Sequence, residues 1–423
     1  MKNKCTVIYE VAYSFSKGGA GSAACQVFNI LSKQGFTVKK IEAEGYQKQE
    51  TLLEKSKYIF WGAAHFLEYI FIRILFKDCN IKQSLNSLSS PRLRKQLNSD
   101  NKLSIFHFQW VGNNTLSIYD FHSIPDYSVI TLHDEWWILG ASHYGRNNGF
   151  IPCSRNGFLS YFRTGVDDYI RKVKISGIQK VNNLIIVCPS LWLMNRVEVS
   201  KVFMGHKLVH IPNAIDTEIF RPIISNKINN HIRQEYGISK DTFVLCFGSD
   251  NALTNPIKGH DLVYEVLDQL SLGKYNHSKI EIISFGGDFR VEKYGKFTIY
   301  HLGRISDQSS LAKVYGISNL LLTFAKSEAF GLVAAEAMSC GTPVMGFSNT
   351  GIQDFVVDEV TGILLNDASP QVAAEKISLL CQLDHCEYLS MRVKCRETIV
   401  KKFSINKVSV QYRELFTQLC LKK

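Results

Sequence analysis

The chain has 423 residues, of which 45% are hydrophobic and 21% are charged. This composition is typical of a globular protein with enough chain for two sizeable domains, and it excludes a disordered or low-complexity protein and a repeat array. The net charge of +11 is unevenly placed: residues 1–215 contain 26 Lys and Arg against 15 Asp and Glu, whereas residues 216–423 contain 23 of each.

The first half alternates short apolar runs with helical patterns. Residues 6–9 form an apolar run that ends at Glu10 without a small-residue cleavage pattern, which predicts a first β-strand and not a signal peptide. A helix opens at Gly18 and ends at Gly35. Further strands are predicted at residues 36–41, 103–108, 128–132 and 184–188. The alternation indicates a parallel α/β sheet.

The most hydrophobic stretch is residues 58–76. It contains His65, Glu68 and Arg73, so it falls short of a charge-poor membrane span of about 20 residues. It predicts a helix that is either buried or seated on the surface as an amphipathic element.

The α/β pattern then restarts. Strands are predicted at residues 243–248, 279–285, 298–302 and 320–324, with a helix at 259–270. The Pro- and Asn-containing segment 211–222 has the chemistry of a linker. Because open parallel sheets bind ligands at the carboxyl ends of their strands, two such units facing each other would form a binding cleft.

The eleven cysteines include no Cys-x-x-Cys pair, and several lie in apolar runs, where a free Cys behaves as a small hydrophobic residue. A disulfide framework or a zinc site is therefore not expected, and a reducing cytoplasm is favoured.

The strongest motif follows the apolar run 320–324. Glu328 falls in a strand-to-helix turn, Gly331 lets the backbone approach a ligand, and a helix begins near Leu332. The N-terminus of that helix can hold a pyrophosphate. Glu336, in its first turns, can accept hydrogen bonds from a ribose diol. Taken singly, each glutamate is equally well explained as a solvated helix residue.

The string as a whole resembles the donor-binding segment of glycosyltransferase family 4, the retaining enzymes of GT-B architecture. The resemblance implies two Rossmann-like parallel-sheet domains facing across a cleft. In that family the first Glu of Glu-x-Phe-Gly-x4-Glu contacts donor-sugar hydroxyls, the second contacts the ribose, and the backbone between them meets the diphosphate. These roles fall on Glu328, Glu336, Phe330, Gly331 and Leu332.

Two further segments resemble the same family. Lys258, just before a helix, matches the family's Lys-Gly, whose Lys contacts the donor diphosphate; by itself it is as well explained as a helix-capping turn. The Arg that usually precedes it has no counterpart in residues 249–257. Gly18 and Gly19 match the Gly-Gly-Ala loop that lies against the donor phosphates and the acceptor, although a generic tight turn is the alternative.

His133 lies in a Leu-His-Asp-x-Trp segment that resembles polysaccharide-assembling, colanic-acid-type members, which places it near the transferred sugar. Adjacent strand residues point to opposite faces, so His133 and Asp134 are not expected to act as one acid–base pair. Arg304 and Ile305 match the loop whose backbone receives the nucleotide base. Residues 403–416 resemble the final helix that crosses back onto the first domain.

From this resemblance we expect an acceptor-side domain at residues 1–215, a donor-binding domain at 216–400 and a returning helix at 401–423. The implied reaction is retaining transfer of a sugar, a hexose by preference, from a nucleotide diphosphate sugar to a hydroxyl of a glycan or polyprenyl-linked oligosaccharide in surface polysaccharide biosynthesis. No Asp-x-Asp motif follows a strand, so neither a metal nor another cofactor is expected.

Three alternatives stay open: a GT-B-fold sugar-nucleotide epimerase, a catalytically weak nucleotide-sugar-binding subunit, and a dinucleotide oxidoreductase, against which the lack of a Gly-x-Gly-x-x-Gly motif counts. The basic first half suggests an anionic partner such as the inner face of the membrane, or it is simply a solubilising basic surface. We expect a cytoplasmic protein that is peripheral on the membrane and does not bind nucleic acid; the sequence leaves the oligomeric state open.

Overall fold

The computed structural model describes residues 6–44, 51–77, 79, 81–99, 103–145, 147, 158–248, 255–272 and 279–423. The chain divides into two compact units. The first holds the described residues up to Gly145, those from 158 to Asn213, and Val408–Lys423. The second holds Ala214–Lys407 together with Asn147. The sequence-based boundaries at 215 and 400 lie a few residues from these.

The first unit is built on a six-stranded parallel sheet of order β2-β1-β3-β4-β5-β6. Its strands are β1 (Val7–Ala12), β2 (Thr37–Glu42), β3 (Ser104–Phe108), β4 (Val129–Thr131), β5 (Ile185–Cys188) and β6 (Lys207–His210). Its helices are α1 (Gly18–Lys33), α2 (Leu52–Leu75), α3 (Pro91–Leu97), α4 (Phe158–Ile178) and α5 (Leu191–Ser200). The central strands β3 to β5 are buried along their whole length, which is why they read as continuous apolar runs.

The second unit has a seven-stranded sheet of order β13-β12-β11-β7-β8-β10-β9, parallel except for the antiparallel β9–β10 pair. Its strands are β7 (Phe243–Gly248), β8 (Ile280–Phe285), β9 (Phe289–Tyr294), β10 (Phe297–Leu302), β11 (Leu320–Thr323), β12 (Val344–Phe347) and β13 (Gly362–Leu365). Its helices are α6 (Asn226–Glu235), α7 (His260–Ser271), α8 (Gln308–Ile317), α9 (Leu332–Ser339), α10 (Pro370–Cys381) and α11 (His385–Phe403). Val244 and Cys246 of β7 belong to one core cluster and Phe243, Leu245 and Phe247 to another, so the strand buries both of its faces.

The last helix, α12 (Ile405–Lys422), joins the first unit from Val408 onward. The Phe416 ring lies 6.3 Å from that of Phe36 and 5.3 Å from that of His107. Gln34 donates a hydrogen bond to the backbone oxygen of Ser409, and Lys423 donates one to that of Ser104. The chain end therefore returns to the first sheet.

Every strand predicted above is present within three residues of its expected bounds, and the helix expected at 259–270 is α7. Residues 341–343 also predict the end of a helix and a following strand, which is β12, whereas strands β6, β9 and β13 had no prediction. Strand β9 is the clearest case: its side chains alternate between exposed and half-buried positions, because it lies at the edge of the sheet, so it lacks a long apolar run.

Two predictions from the sequence, one about the cysteines and one about the apolar stretch 58–76, differ from the structure. Cys79 is disulfide-bonded, so the expectation that the cysteines are free is wrong at this residue, although eight other described cysteines are free. Of the apolar stretch 58–76, all but Phe76 falls in α2. By length and composition alone this helix could cross a membrane, contrary to the expectation that it falls short of a span, and 17% of its most apolar 18-residue stretch is buried. Residues 249–254, in the stretch where the family's Arg has no counterpart, lie outside the described residues.

Candidate functional site

The turn between β11 and α9 is fixed by a glycine that no other residue could replace without strain. Gly331, just before the helix, has φ of +96°, and a Cβ on it would lie 2.6 Å from Cγ2 of Ile352. Glu328, earlier in the turn, accepts a backbone hydrogen bond from Gly351 of 2.7 Å. Helix α9 begins at Leu332, as predicted. A glycine offers no side-chain cap, so the first N–H groups of α9 are left for a ligand to satisfy.

A second turn, at residues 256–258, lies against the end of β11. Gly259 has φ of +65°, and a Cβ there would be 2.0 Å from the backbone oxygen of Phe324. The backbone N–H of Lys326 donates a hydrogen bond to the oxygen of Ile257. This packing brings Nζ of Lys258 to 2.8 Å from Oε2 of Glu328, with about a quarter of each side chain exposed. The structure thus joins two residues that the sequence proposed separately.

Phe330 contributes to the core with its side chain. Its ring is buried and lies 5.4 Å from the ring of Phe355 and 5.8 Å from that of Phe403. Only the backbone of Phe330 can therefore face a ligand. This arrangement is compatible with the expected role of the 330–332 backbone.

Glu336 lies in the second turn of α9 and has a tyrosine as a polar partner. The hydroxyl of Tyr315 donates a hydrogen bond of 3.2 Å to its Oε2. Although part of the residue is accessible, burial of the carboxyl raises its pKa to about 8, and the Tyr315 bond offsets this only partly. At this pKa the carboxyl is mostly protonated at neutral pH.

Arg304 and Ile305 follow β10 through Gly303, whose φ is +69°. The carbonyl of Gly303 accepts a hydrogen bond from the N–H of Gly286, which ties this loop to the end of β8. Ile305 packs on the core of the second unit, whereas Arg304 is exposed. The segment expected to receive a nucleotide base is thus held by its backbone.

In the first unit, α1 begins at Gly18, with φ of +65°, and continues through Gly19. A Cβ on Gly18 would meet no atom within 4 Å, whereas one on Gly21 would lie 3.0 Å from the backbone oxygen of Ser14. The glycine needed for close packing in this turn is therefore Gly21. Gly18 is needed for its backbone conformation.

His133 follows β4 and is held by a buried polar chain. Its Nε2 lies 2.8 Å from Oε1 of Gln109, whose amide nitrogen donates to Oε2 of Glu10 at 3.0 Å. His107 joins the same chain through Nδ1 to Glu10 at 2.8 Å and Nε2 to Oγ1 of Thr131 at 2.7 Å. Because the Gln109 oxygen can only accept, His133 carries its proton on Nε2 and presents Nδ1 as an acceptor.

Burial lowers the pKa of His133 to about 4, against the opposing effect of Asp134. The imidazole is therefore neutral throughout the physiological pH range. A neutral Nδ1 can accept a hydrogen bond from a hydroxyl group, as a sugar would offer.

Asp134 has partners of its own. Its carboxylate accepts from Nε1 of Trp110 at 2.7 Å and lies 2.6 Å from Nδ1 of His143. Burial opposes ionisation of Asp134, but the charge and hydrogen bond of His143, the Trp136 N–H and the Trp110 indole lower its pKa to about 2. His133 and Asp134 thus belong to different networks, as expected for neighbours that point apart.

The residues that support the candidate site were not predicted from the sequence. Glu10 and His107 are charged or polar residues inside buried strands, and this was the signal that could have found them, since such groups need partners. Gln109 and Tyr315 carried no such signal. In the part of the chain that the structure describes, no group of three His, Cys, Asp or Glu residues is arranged to hold a metal ion.

Residues 229–401 match the family model described as Glycosyl transferases group 1. This segment, which is less than half of the chain, is similar to group 1 glycosyltransferase domains. It contains Lys258, Arg304, Glu328 and Glu336, so the two turns described above lie inside the matched region.

The chain is similar to D-inositol 3-phosphate glycosyltransferase of Segniliparus rotundus, with 28% identity over 183 residues, which is 41% of this chain and 39% of that protein. It spans about two fifths of the length of the curated relatives it matches. Among solved structures, it is similar to sucrose-phosphate synthase of Thermosynechococcus elongatus, with a TM-score of 0.64 and 14% identity over 99% of this chain and 100% of that one.

The Anabaena protein HepE in complex with UDP-glucose has a TM-score of 0.61 to this chain, with 15% identity over 97% of this chain and 99% of its own. At such identities the likeness concerns the fold alone. The chain has the GT-B fold, with two parallel-sheet α/β domains, and this prediction is confirmed. The cleft between the domains stays a prediction.

Proposed function

We propose that this protein is a glycosyltransferase that moves a sugar from a nucleotide diphosphate sugar to an acceptor hydroxyl. The observation that carries the proposal is the Lys258–Glu328 pair beside the N-terminus of α9, inside the matched region. A cation, a helix N-terminus and a carboxylate, brought together from two turns, provide separate contacts for a diphosphate and for sugar hydroxyls.

Each group has a distinct part in donor binding. The N–H groups of α9 from Leu332 and the Lys258 ammonium would hold the diphosphate, and Glu328 would accept hydrogen bonds from the sugar. Glu336 would accept from the ribose, and the Arg304–Ile305 backbone would receive the base. The Anabaena protein of similar fold was crystallised with UDP-glucose, which supports a donor of this class.

The transfer that we propose retains the anomeric configuration through a same-face mechanism. The bond from the anomeric carbon to the diphosphate oxygen breaks, the acceptor oxygen forms the new bond on the same face, and the acceptor proton passes to the leaving phosphate. Lys258 and the α9 N-terminus would stabilise the charge of the departing diphosphate, so we propose neither a metal nor another cofactor. His133 would contact the transferred sugar through its neutral Nδ1.

The acceptor that we propose is a hydroxyl of a glycan or a polyprenyl-linked oligosaccharide, used in surface polysaccharide biosynthesis, and the transferred sugar is a hexose. The supporting observation is the excess of basic residues in the first half of the chain. A positive surface attracts the phosphates of a lipid-linked acceptor and of anionic lipids. We accordingly propose a cytoplasmic protein that works at the inner face of the membrane.

The proposal is tested in two stages. A thermal-shift screen of UDP-, GDP-, ADP- and TDP-sugars identifies a donor, and transfer to a lipid extract is then followed by NMR of the product's anomeric proton. A product with the donor's anomeric configuration is the expected result, and an inverted product would contradict the mechanism.

A second candidate is a catalytically weak subunit that binds nucleotide sugars, favoured by the lack of an Arg in residues 249–257. It predicts a thermal shift with no transfer by the protein alone. Sugar isomerisation of the donor without any acceptor would instead identify an epimerase.

A further inference from the structure

Helix α2 buries four side chains, Tyr58, Trp61, Glu68 and Leu75, and leaves most of its other apolar side chains exposed. The carboxylate of Glu68 is buried and accepts hydrogen bonds from the backbone N–H groups of residues 85–87. Nε1 of Trp61 donates to the backbone oxygen of Asn114, and His65 lies 3.1 Å from the side-chain nitrogen of the same residue. These contacts fix which face of the helix is outward.

The outward face is a continuous apolar stripe. Six of its side chains, each between 49% and 72% exposed, follow the three- and four-residue spacing of one helix face: Ile59, Phe60, Phe66, Leu67, Phe71 and Ile74. A surface helix of a water-soluble protein has the opposite arrangement. Exposed apolar stripes of this length mark a surface that meets a partner or a lipid phase.

The ends of the stripe are basic. Lys57 stands near its start, and Arg73 and Lys77 near its end. The two acidic residues of the helix do not offset them on this face, because Glu54 bonds to Lys95 at 2.6 Å and Glu68 points inward.

This charge pattern decides between two possible occupants. If a second copy packed its own α2 on the stripe, cations would meet cations in either a parallel or an antiparallel pairing, with no carboxylate between them. An anionic lipid surface instead offers acyl chains to the apolar stripe and phosphates to both basic ends. The buried contacts of Glu68 and Trp61 also hold one side of α2 on the protein, which disfavours a transmembrane position.

We propose that α2 is a membrane-docking helix that lies flat in the interface of an anionic phospholipid membrane. Its 24 residues would extend about 36 Å along the membrane plane. This inference deepens the membrane location proposed above and names the element responsible for it. It concerns the first unit only and requires no donor, so it can fail while the transferase proposal holds.

The test is sedimentation of the full chain with vesicles of phosphatidylcholine alone or of equal parts phosphatidylcholine and phosphatidylglycerol. The variant Phe60→Gln/Phe66→Gln/Phe71→Gln removes the aromatic part of the stripe. The matched control, Val199→Gln/Ile224→Gln/Phe289→Gln, removes three apolar side chains that are each at least 80% exposed elsewhere. Circular dichroism and thermal unfolding confirm that both variants are folded, and light scattering gives the oligomeric state.

We expect wild type and control to bind the phosphatidylglycerol vesicles and the α2 variant to bind them roughly tenfold more weakly or worse. Salt should weaken the wild-type binding without abolishing it, because the apolar contribution is not screened. Equal binding by the α2 variant, or no binding by wild type, would overturn the proposal. A dimer that becomes a monomer in the α2 variant, with no vesicle binding, would assign the stripe to a second copy instead.

A thermal shift measured on the same samples with the donor found in the screen separates the two proposals. If the donor shift is intact and vesicle binding is absent, the membrane-docking proposal alone fails. If vesicle binding is intact and no nucleotide sugar shifts the unfolding temperature, the transferase proposal fails instead.

Discussion

Lys258 and Glu328 form an ion pair of 2.8 Å between two turns that are 70 residues apart in the chain. The cation proposed for the donor diphosphate therefore pairs with the carboxylate proposed for the donor sugar. The two charges offset each other. Binding of a donor would exchange this one contact for separate contacts to phosphate and hydroxyl groups.

Replacing Lys258 with Ala should affect activity far more than stability. Loss of one cation at a developing diphosphate charge is expected to lower kcat/KM by about a hundredfold. The unfolding free energy should fall by only ~1 kcal/mol, because both side chains are partly solvated. Lys326→Ala is the matched control, since Lys326 lies in the turn that holds Glu328 and pairs with Asp261. Equal loss of activity in the two variants would argue against a specific role for Lys258.

Glu336 should make donor binding and stability depend on pH in opposite directions. Its pKa of about 8 in the folded protein lies above the ordinary value of 4.5 for an unfolded Glu. Between these two pH values the folded state therefore holds a proton that the unfolded state has lost. Its contribution to stability is thus complete below the unfolded pKa and is lost as pH rises through about 8. A ribose diol donates hydrogen bonds to the ionised carboxylate, so donor affinity should rise over the upper part of the same range.

Calorimetric titrations with the identified donor, from about pH 6 to about pH 9, check this linkage through proton release on binding. Glu336→Gln should bind more weakly at high pH and show neither the proton release nor the pH-dependent loss of stability. Proton release that persists in Glu336→Gln would place the titrating group elsewhere.

The His133 imidazole should stay neutral down to about pH 5, because burial lowers its pKa to about 4. Long-range proton–nitrogen NMR should show the Nε2–H tautomer, held by Gln109. In Gln109→Leu, the Nε2–H tautomer should no longer be favoured. The free energy of unfolding should fall by ~1–3 kcal/mol, because the substitution leaves buried polar groups without partners. Gln96→Leu, which alters an amide bonded to Ser99 at the surface, should leave both measurements unchanged. A protonated His133 at neutral pH would contradict the assignment.

The turn that positions Lys258 should not tolerate a side chain at Gly259. A Cβ there would lie 2.0 Å from the Phe324 oxygen, in a backbone region that is itself strained for Ala. An Ala in a left-handed backbone conformation with free space around it lowers the free energy of unfolding by ~1 kcal/mol. We expect Gly259→Ala to lower it by several times this amount. Gly295→Ala provides that reference, because its φ is +55° and the nearest atom to an added Cβ is 3.6 Å away. Similar unfolding temperatures for both variants would refute the steric argument.

Much of the fold could be predicted from local pattern. The apolar runs that became β7, β8 and β11 are buried on both faces, so their sequence signal was strong. Edge strand β9 was missed because half-exposed residues give a weak signal. The strand-turn-helix form around Glu328 was also predictable, since a buried run, a glycine and an apolar helix follow one another directly.

By itself, the sequence determined the local elements of this protein: which runs are strands, where α9 begins, and which side chains stand in its turns. Only the tertiary structure decided which of these meet. Lys258 reaches Glu328 because β7 and β11 are parallel neighbours in the sheet, so the turn at residues 256–258 and the turn of Glu328 follow strands that end at the same edge. Glu10 reaches His107 because β1 pairs with β3 at these two positions. Likewise, the hydrophobicity of α2 was visible in the sequence, but its outward direction follows from the buried partners of Glu68, which local periodicity cannot specify.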